Sequence, residues 1–368
     1  MDKPTTKPVL AAIIIVLAVG ALLVVFTNKE TSNSATSQNT EVTIQGSGSS
    51  FLYPQMQNWI SEFEKMNPSI KINYNPTGSG TGQNQFLQGV VDFAGSDPPL
   101  KSSVWSQYKG GVLQVPVILG GVAVVYNVPG VKESLNLTGE VIAKIYKGDI
   151  TYWDDTLITQ LNPGVNLPHK EIIAVHRSDS SGTTNVFTLF LHKSSPSSWP
   201  LSLVGKSIEW PVDSKGRGVG GKGNQGVTEQ VKQTQYSIGY IELAYAFQAG
   251  LPYAKIENSA GNFVLPTPEN VEAAARAALH YLPSDPAADW SSALDAIVYA
   301  PGSDSYPITT FSFLILHKHY NDPNKAKALA EFLNWISDNG YNQVVEGYVP
   351  IPPSLRDMIK QAATTIEG

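Results

Sequence analysis

Val175-His176-Arg177-Ser178-Asp179-Ser180-Ser181-Gly182-Thr183-Thr184-Asn185-Val186-Phe187 is the stretch on which the fold turns. The apolar run Ile172-Ile173-Ala174-Val175 that enters it reads as a strand, and Val186, Phe187, Leu189, Phe190 and Leu191 beyond it fit a helix. Between them lies a loop of hydroxyl residues and glycine carrying one arginine. The first N–H groups of a helix have no internal partner, and the helix dipole favours negative charge there. Strand, Ser/Gly loop and helix start therefore form a candidate anion site. Arg177 supplies a planar, always-charged donor fork suited to a tetrahedral oxyanion, and Asp179 is placed to hold that fork. The same residues also fit an ordinary helix cap with an Arg–Asp pair at the surface, and the stretch alone leaves both open.

Upstream, the pattern of strand, small polar loop and helix repeats. Glu41-Val42-Thr43-Ile44-Gln45 alternates as a strand and runs into Gly46-Ser47-Gly48-Ser49-Ser50-Phe51; Met56, Trp59, Ile60 and Phe63 then recur at helical spacing until Asn67-Pro68. Ile70–Tyr74 reads as a second strand, entering Thr77-Gly78-Ser79-Gly80-Thr81-Gly82 and a short helix around Phe86-Leu87. Val90–Ala94 reads as a third, ending at Gly95-Ser96-Asp97-Pro98-Pro99. In open α/β sheets ligands bind beyond the carboxyl ends of strands, at such loops. None of the three carries a P-loop, and the glycine spacing at 78–82 is wrong for a dinucleotide fingerprint.

Composition bounds the rest. A chain of 368 residues argues for about two domains, and with 42% hydrophobic and 15% charged residues it can bury a core. A formal charge of −6 argues against nucleic acid as a partner, so an anion site here must rest on local dipoles and one or two cations. There are no cysteines, which excludes disulfides, thiolate metal sites and cysteine nucleophiles. Val9–Phe26 has no charged or polar side chain and follows Lys3 and Lys7. That predicts a cytoplasmic N-terminus at 1–8 and a membrane anchor or signal segment at 9–26, with the body outside the cytoplasm. Residues 27–41 read as a polar linker, and Asn136-Leu137-Thr138 is a glycosylation sequon.

Val115–Leu119 and Val122–Tyr126 read as two strands interrupted by Gly120-Gly121, which suits a chain crossing between lobes. Asn136–Tyr146 reads as helical. The glycine-rich 216–226 precedes a helix at Val227–Val231 and a buried strand at Ile238–Ile241. Pro307–Leu316 is a long extended run, read as the return crossing, and Asn324–Asp338 an amphipathic helix that packs back on the first lobe. The expected fold is α/β and two-lobed with a two-stranded hinge: residues 42–117 and 305–368 form lobe I, and 118–304 lobe II.

Several motifs in order, Gly46–Phe51, Val91–Asp97, Trp153-Asp154-Asp155 with Leu161–Gly164, Arg177–Thr183, and Gly220–Gly226 with Ser237–Glu242, closely resemble the phosphate-binding protein of ABC phosphate importers. The resemblance runs from about Ile44 to about Pro353. It implies a periplasmic-binding-protein-like (type II) fold that closes on inorganic phosphate and delivers it to transmembrane permease subunits, acting as a monomer without cofactor or metal. By motif, Ser50, the Phe51 amide and Ser79 would bind phosphate from one lobe, and Arg177, Ser181, Gly182 and Thr183 from the other, with Asp179 bracing Arg177. Serine stands at position 50 where the family often has threonine. Gly80-Thr81 departs from the family's commoner order, and Lys215-Gly216-Arg217 lies in an apparent insertion with no assigned role. Asp97 matches the carboxylate that accepts a hydrogen bond from a protonated phosphate.

That last role has a physical basis. A carboxylate beside an anion is repulsive unless the anion brings a proton; phosphate near neutral pH has one and sulfate has none. Three alternatives remain. The same fold could take sulfate, molybdate or a phosphonate. An extracellular phosphatase would need a nucleophile with a base, or metal ligands, and neither a Gly-x-Ser-x-Gly elbow nor a His-Glu-x-x-His appears. A surface adhesin would have no buried anion site.

Overall fold

The computed structural model describes residues 41–368. The expected cytoplasmic N-terminus, anchor and nearly all of the linker lie outside them. Among the described residues no helix is long and apolar enough to cross a membrane.

The first lobe opens with β1 (Val42–Gly48), α1 (Tyr53–Met66), β2 (Ile70–Asn75), α2 (Ser79–Leu87), β3 (Phe93–Ser96) and β4 (Val112–Asn127). The second contains α3 (Gly139–Lys147), β5 (Ile173–Arg177), α4 (Gly182–Ser194), β6 (Gly218–Gly221), α5 (Gly223–Gln233), β7 (Ser237–Glu242) and α6 (Leu243–Ala249). The chain then adds α7 (Pro268–Ala278), α8 (Ala293–Ile297), β8 (Thr309–His317), α9 (Pro323–Asp338), β9 (Tyr348–Val349) and α10 (Pro353–Thr365). The large sheet runs β2-β1-β3-β8-β4-β7-β5-β6, with β9 paired to β4. β1 is parallel to β2 and β3, and β5 is parallel to β6 and β7.

β4 joins the two halves. From Val112 to Gly121 it pairs antiparallel with β8, and from Val122 to Asn127 with β7. The expected break at Gly120-Gly121 does not occur: a glycine pair keeps both backbone hydrogen-bonding groups, so the ladder continues through it. The glycines are there for close approach. A Cβ on Gly120 would lie 2.6 Å from the Phe51 ring, and one on Gly121 2.9 Å from Pro266. The extended run after Pro307 forms β8, which pairs along Thr309–His317 with the first-lobe half of β4. α7 and α8 fall within the span 118–304; α7 lies against β4, β8 and β9, and α8 against α7 and β8.

Other elements follow from their residues. α1 has Pro54 in its first turn, where no N–H is needed, and buries Met56, Trp59, Ile60 and Phe63. Phe63 meets Phe332 and Trp335 of α9 edge-on, at 5.1 and 6.0 Å between ring centroids. Asp322 caps α9 by accepting from Asn324 N–H at 2.9 Å. Two boundaries differ from expectation. Val90 and Val91 do not extend: they follow Gly89 (φ 69°) in the turn closing α2, and pairing to β1 begins only at Phe93. The helix expected from Asn136 begins at Gly139, because the Thr138 side chain caps it by accepting from Val141 N–H at 3.2 Å. In the stretch 213–219, buried Arg217 donates to the carbonyls of Ile150 (3.1 Å) and Gly148 (2.8 Å) just beyond α3, satisfying groups a helix end leaves open.

Candidate anion site

Parallel pairing places the carboxyl ends of β1, β2 and β3 together at one edge of the first lobe, and those of β5 and β6 together in the second. The loops that follow meet. Gly80 N–H, at the start of α2, donates to Ser180 O at 3.0 Å. Lys206 of the second lobe bonds the Gln83 side chain of the first, and burial next to Lys101 pushes its pKa down to about 8.

Asp97 lies at the centre and is 1% exposed. Its Oδ1 accepts from Ser49 Oγ (2.6 Å) and Ser312 Oγ (2.8 Å), and its Oδ2 from Ser79 Oγ (3.2 Å). Burial raises its pKa to about 6 against the pull of these hydroxyls and of the Arg177 charge. Three donors leave one acceptor direction on Oδ2. That oxygen faces the start of α4: a Cβ on Gly182 would fall 2.3 Å from Asp97 Oδ2 and 2.3 Å from Ser79 Oγ. Only glycine lets the helix start come this close.

In the second lobe the Arg177 side chain is 1% exposed. Nε and Nη2 grip Asp179 at 2.7 and 2.5 Å, and Nη1 donates to Thr183 Oγ1 at 3.2 Å. Asp179 also accepts Gly223 N–H at 3.0 Å. Burial opposes ionisation of Asp179, but the Arg177 fork and the Gly223 amide outweigh it and hold the carboxyl below the usual range. Ser181 is the cap of α4 and accepts Thr184 N–H at 2.9 Å. Gly182 and Thr183 are the first two residues of that helix, where N–H groups have no helical acceptor. Tyr240 Oη supports the loop from beneath, accepting Arg177 N–H at 3.1 Å and bonding Thr184 Oγ1 at 2.7 Å.

The sequence-derived residues thus converge. Ser50, Phe51, Ser79 and Asp97 line one side, and Arg177, Asp179, Ser181, Gly182 and Thr183 the other. The Phe51 ring is fully buried beneath Gly120, and its N–H has no protein acceptor among the described residues. Ser79 spends its hydroxyl on Asp97. Sequence reading missed Ser49 and Ser312, which hold Asp97, and Asn224, which donates to Ser50 Oγ. Ser312 did leave a signal: it is a hydroxyl within the buried, otherwise apolar run Phe311–Leu316. Among the described residues no cluster of three histidine or carboxylate side chains has metal-site geometry.

Residues 33–339 match the family model of the PBP superfamily domain, and the chain belongs to that superfamily. Its relatives narrow the class. It is 40% identical over 352 residues to the phosphate-binding protein PstS of Methanocaldococcus jannaschii, covering 91% of this chain and 90% of that one. It is 41% identical over 324 residues to the phosphate-binding protein PstS of Pasteurella multocida, covering 86% and 89%. Within the superfamily the chain therefore belongs to the family of these PstS proteins. The fold is similar to that of a high affinity periplasmic phosphate-binding protein solved with phosphate bound (PfluDING), at a TM-score of 0.70 and 24% identity, covering 87% of this chain and 93% of that one.

Proposed function

We infer that this protein is an extracytoplasmic solute-binding protein that captures inorganic phosphate between its lobes and delivers it to the permease of an ABC-type importer. One observation carries the choice of ligand: a buried acceptor, Asp97 Oδ2, faces the start of α4 among donors. The donors are the Ser50 and Ser181 hydroxyls, the Phe51, Gly182 and Thr183 amides, and the Arg177 fork. They suit deprotonated oxygens of a tetrahedral anion, and the Asp97 carboxylate suits its P–OH. Arg177 is matched by Asp179, and ionised Asp97 adds a second negative charge. The anion is thus held by dipoles and hydrogen bonds, with no net positive charge beneath it. Sulfate, with no proton to give, meets Asp97 as a repulsion.

Binding and release need no bond-making step, and the protein acts as a monomeric carrier without cofactor or metal. Residues 9–26 hold it at the membrane. The supporting experiment is calorimetric titration of a soluble body starting near Glu41 with phosphate, with sulfate as competitor, alongside a phosphatase assay. Tight, sulfate-resistant binding without hydrolysis is expected. Equal competition by sulfate refutes the ligand assignment.

A further inference from the structure

Asn224 is fully buried at the start of α5 and belongs to none of the roles assigned above. Its Oδ1 accepts Glu242 N–H at 2.8 Å. A backbone N–H can only donate, so this bond fixes which way the carboxamide points: the oxygen faces β7 and the NH2 faces the site. The two N–H bonds of Nδ2 then go to two different hydroxyls, Ser50 Oγ at 3.0 Å and Thr183 Oγ1 at 3.2 Å. Asn224 N–H adds a second bond to Ser50 Oγ, also 3.0 Å. Ser50 belongs to the loop after β1, and Thr183 and Asn224 to helices of the second lobe.

The donor count has a chemical consequence. A hydroxyl has two acceptor lone pairs and one proton to give. Both lone pairs of Ser50 Oγ are occupied by Asn224. Those of Thr183 Oγ1 are occupied by Asn224 Nδ2 and Arg177 Nη1. Each hydroxyl can therefore face the cleft only as a donor.

We propose that Asn224 is a positioning and specificity-determining residue of the phosphate site: it fixes the Ser50 and Thr183 hydroxyls as donors and ties the two lobes together around the ligand. Resting on the phosphate reading, this states how the site confines the ligand's proton to Asp97. With the Ser50 and Thr183 hydroxyls already saturated as acceptors, neither can take the proton of a P–OH, which leaves it to Asp97 Oδ2. The same bonds cross from one lobe to the other, so they stabilise the closed complex and act on escape of the ligand more than on its entry.

The test is a double-mutant cycle with phosphate release followed by stopped flow. Asn224→Ala is expected to speed release by about tenfold or more while association stays within about threefold. Because part of its effect runs through Ser50, the same substitution in a Ser50→Ala background should cost at least about threefold less affinity than in wild type, so that the joint loss falls short of the product of the two single effects. A residue that only filled space would weaken binding equally in both backgrounds. Asn224→Ser, which keeps a small donor at the position, is run through the same cycle, and ligand-free thermal unfolding checks that each variant folds. Multiplicative losses, or a release rate unchanged in both Asn224 variants, overturn the proposal alone. A wild-type protein that takes up no phosphate overturns the functional reading and this one with it.

Discussion

Replacing Asp97 by asparagine tests the proposal that this carboxylate distinguishes phosphate from sulfate. The side chain keeps its shape, and its surroundings dictate how the amide must lie. Ser49 Oγ and Ser312 Oγ both donate to Oδ1, at 2.6 and 2.8 Å, so the amide oxygen takes that position. The amide nitrogen then replaces Oδ2 opposite Gly182. Ser79 can turn to accept from it, since its hydroxyl accepts only Asp97 N–H, at 3.3 Å, and keeps a second lone pair. Phosphate loses a charge-assisted bond from its P–OH, of about 1.5–3 kcal/mol, and sulfate gains a donor to a charged oxygen of similar worth, about 1.5–3 kcal/mol. The two changes act in opposite directions on the preference. Together they shift the phosphate-to-sulfate affinity ratio by about 3–6 kcal/mol, or two to four powers of ten. Calorimetric titration of wild type and Asp97→Asn with each anion at fixed pH measures that ratio directly. A ratio that moves by less than about threefold would show that the carboxylate does not read the ligand's proton, and the selectivity argument would fall.

Wild-type selectivity should itself depend on pH. Asp97 in the free protein titrates at about 6, and a protonated Asp97 can donate to sulfate. Sulfate affinity should therefore rise about tenfold per unit as pH falls from 8 toward 6 and level off below; a flat profile contradicts the assignment. Arg177→Ala removes the donor fork and leaves Asp179 buried without its partner, so phosphate affinity should fall by at least about 2 kcal/mol in calorimetry, and wild-type affinity refutes it. Gly182→Ala puts a methyl group 2.3 Å from Asp97 Oδ2, so it should weaken phosphate binding by more than about tenfold while ligand-free thermal unfolding changes little. Trp59 is fully buried, donates to Gly340 O at 2.9 Å and packs edge-on against Tyr341; Trp59→Ala should cost about 3–5 kcal/mol in urea unfolding, and a loss below 1 kcal/mol would contradict its place in the core.

Much of this was legible in the sequence because it is local. Helical spacing in α1 and α9, the hydroxyl cap of α4 and the glycine-rich loops are each settled within a dozen residues of chain. Loops at strand ends pointed to the site before any contact was known. What the sequence hid depends on distance along the chain. Ser312 reaches Asp97 from 215 positions away, and Asn224 reaches Ser50 from 174. No periodicity encodes such a pairing. Gly120-Gly121 misled for a related reason: whether paired glycines break a strand or admit a neighbour depends on what lies opposite, here the Phe51 ring. Val90 and Val91 have high strand propensity, but the turn at Gly89 prevails until a partner strand is available.

The contact between Gly120 and Phe51 ties together two things usually treated apart. β4 changes partner from β8 to β7 beside Gly120, where it passes from one lobe to the other. The ring pressed against that glycine belongs to the residue whose amide lines the cleft. Fulcrum and ligand loop thus share a wall, so a rotation at the pivot reaches the mouth of the cleft without travelling through intermediate structure. Substitutions along this wall would retune retention of the cargo while leaving every contacting group chemically intact. For a carrier that must hold its load in transit and surrender it at the membrane, this gives selection a dial for grip that is separate from the one for recognition.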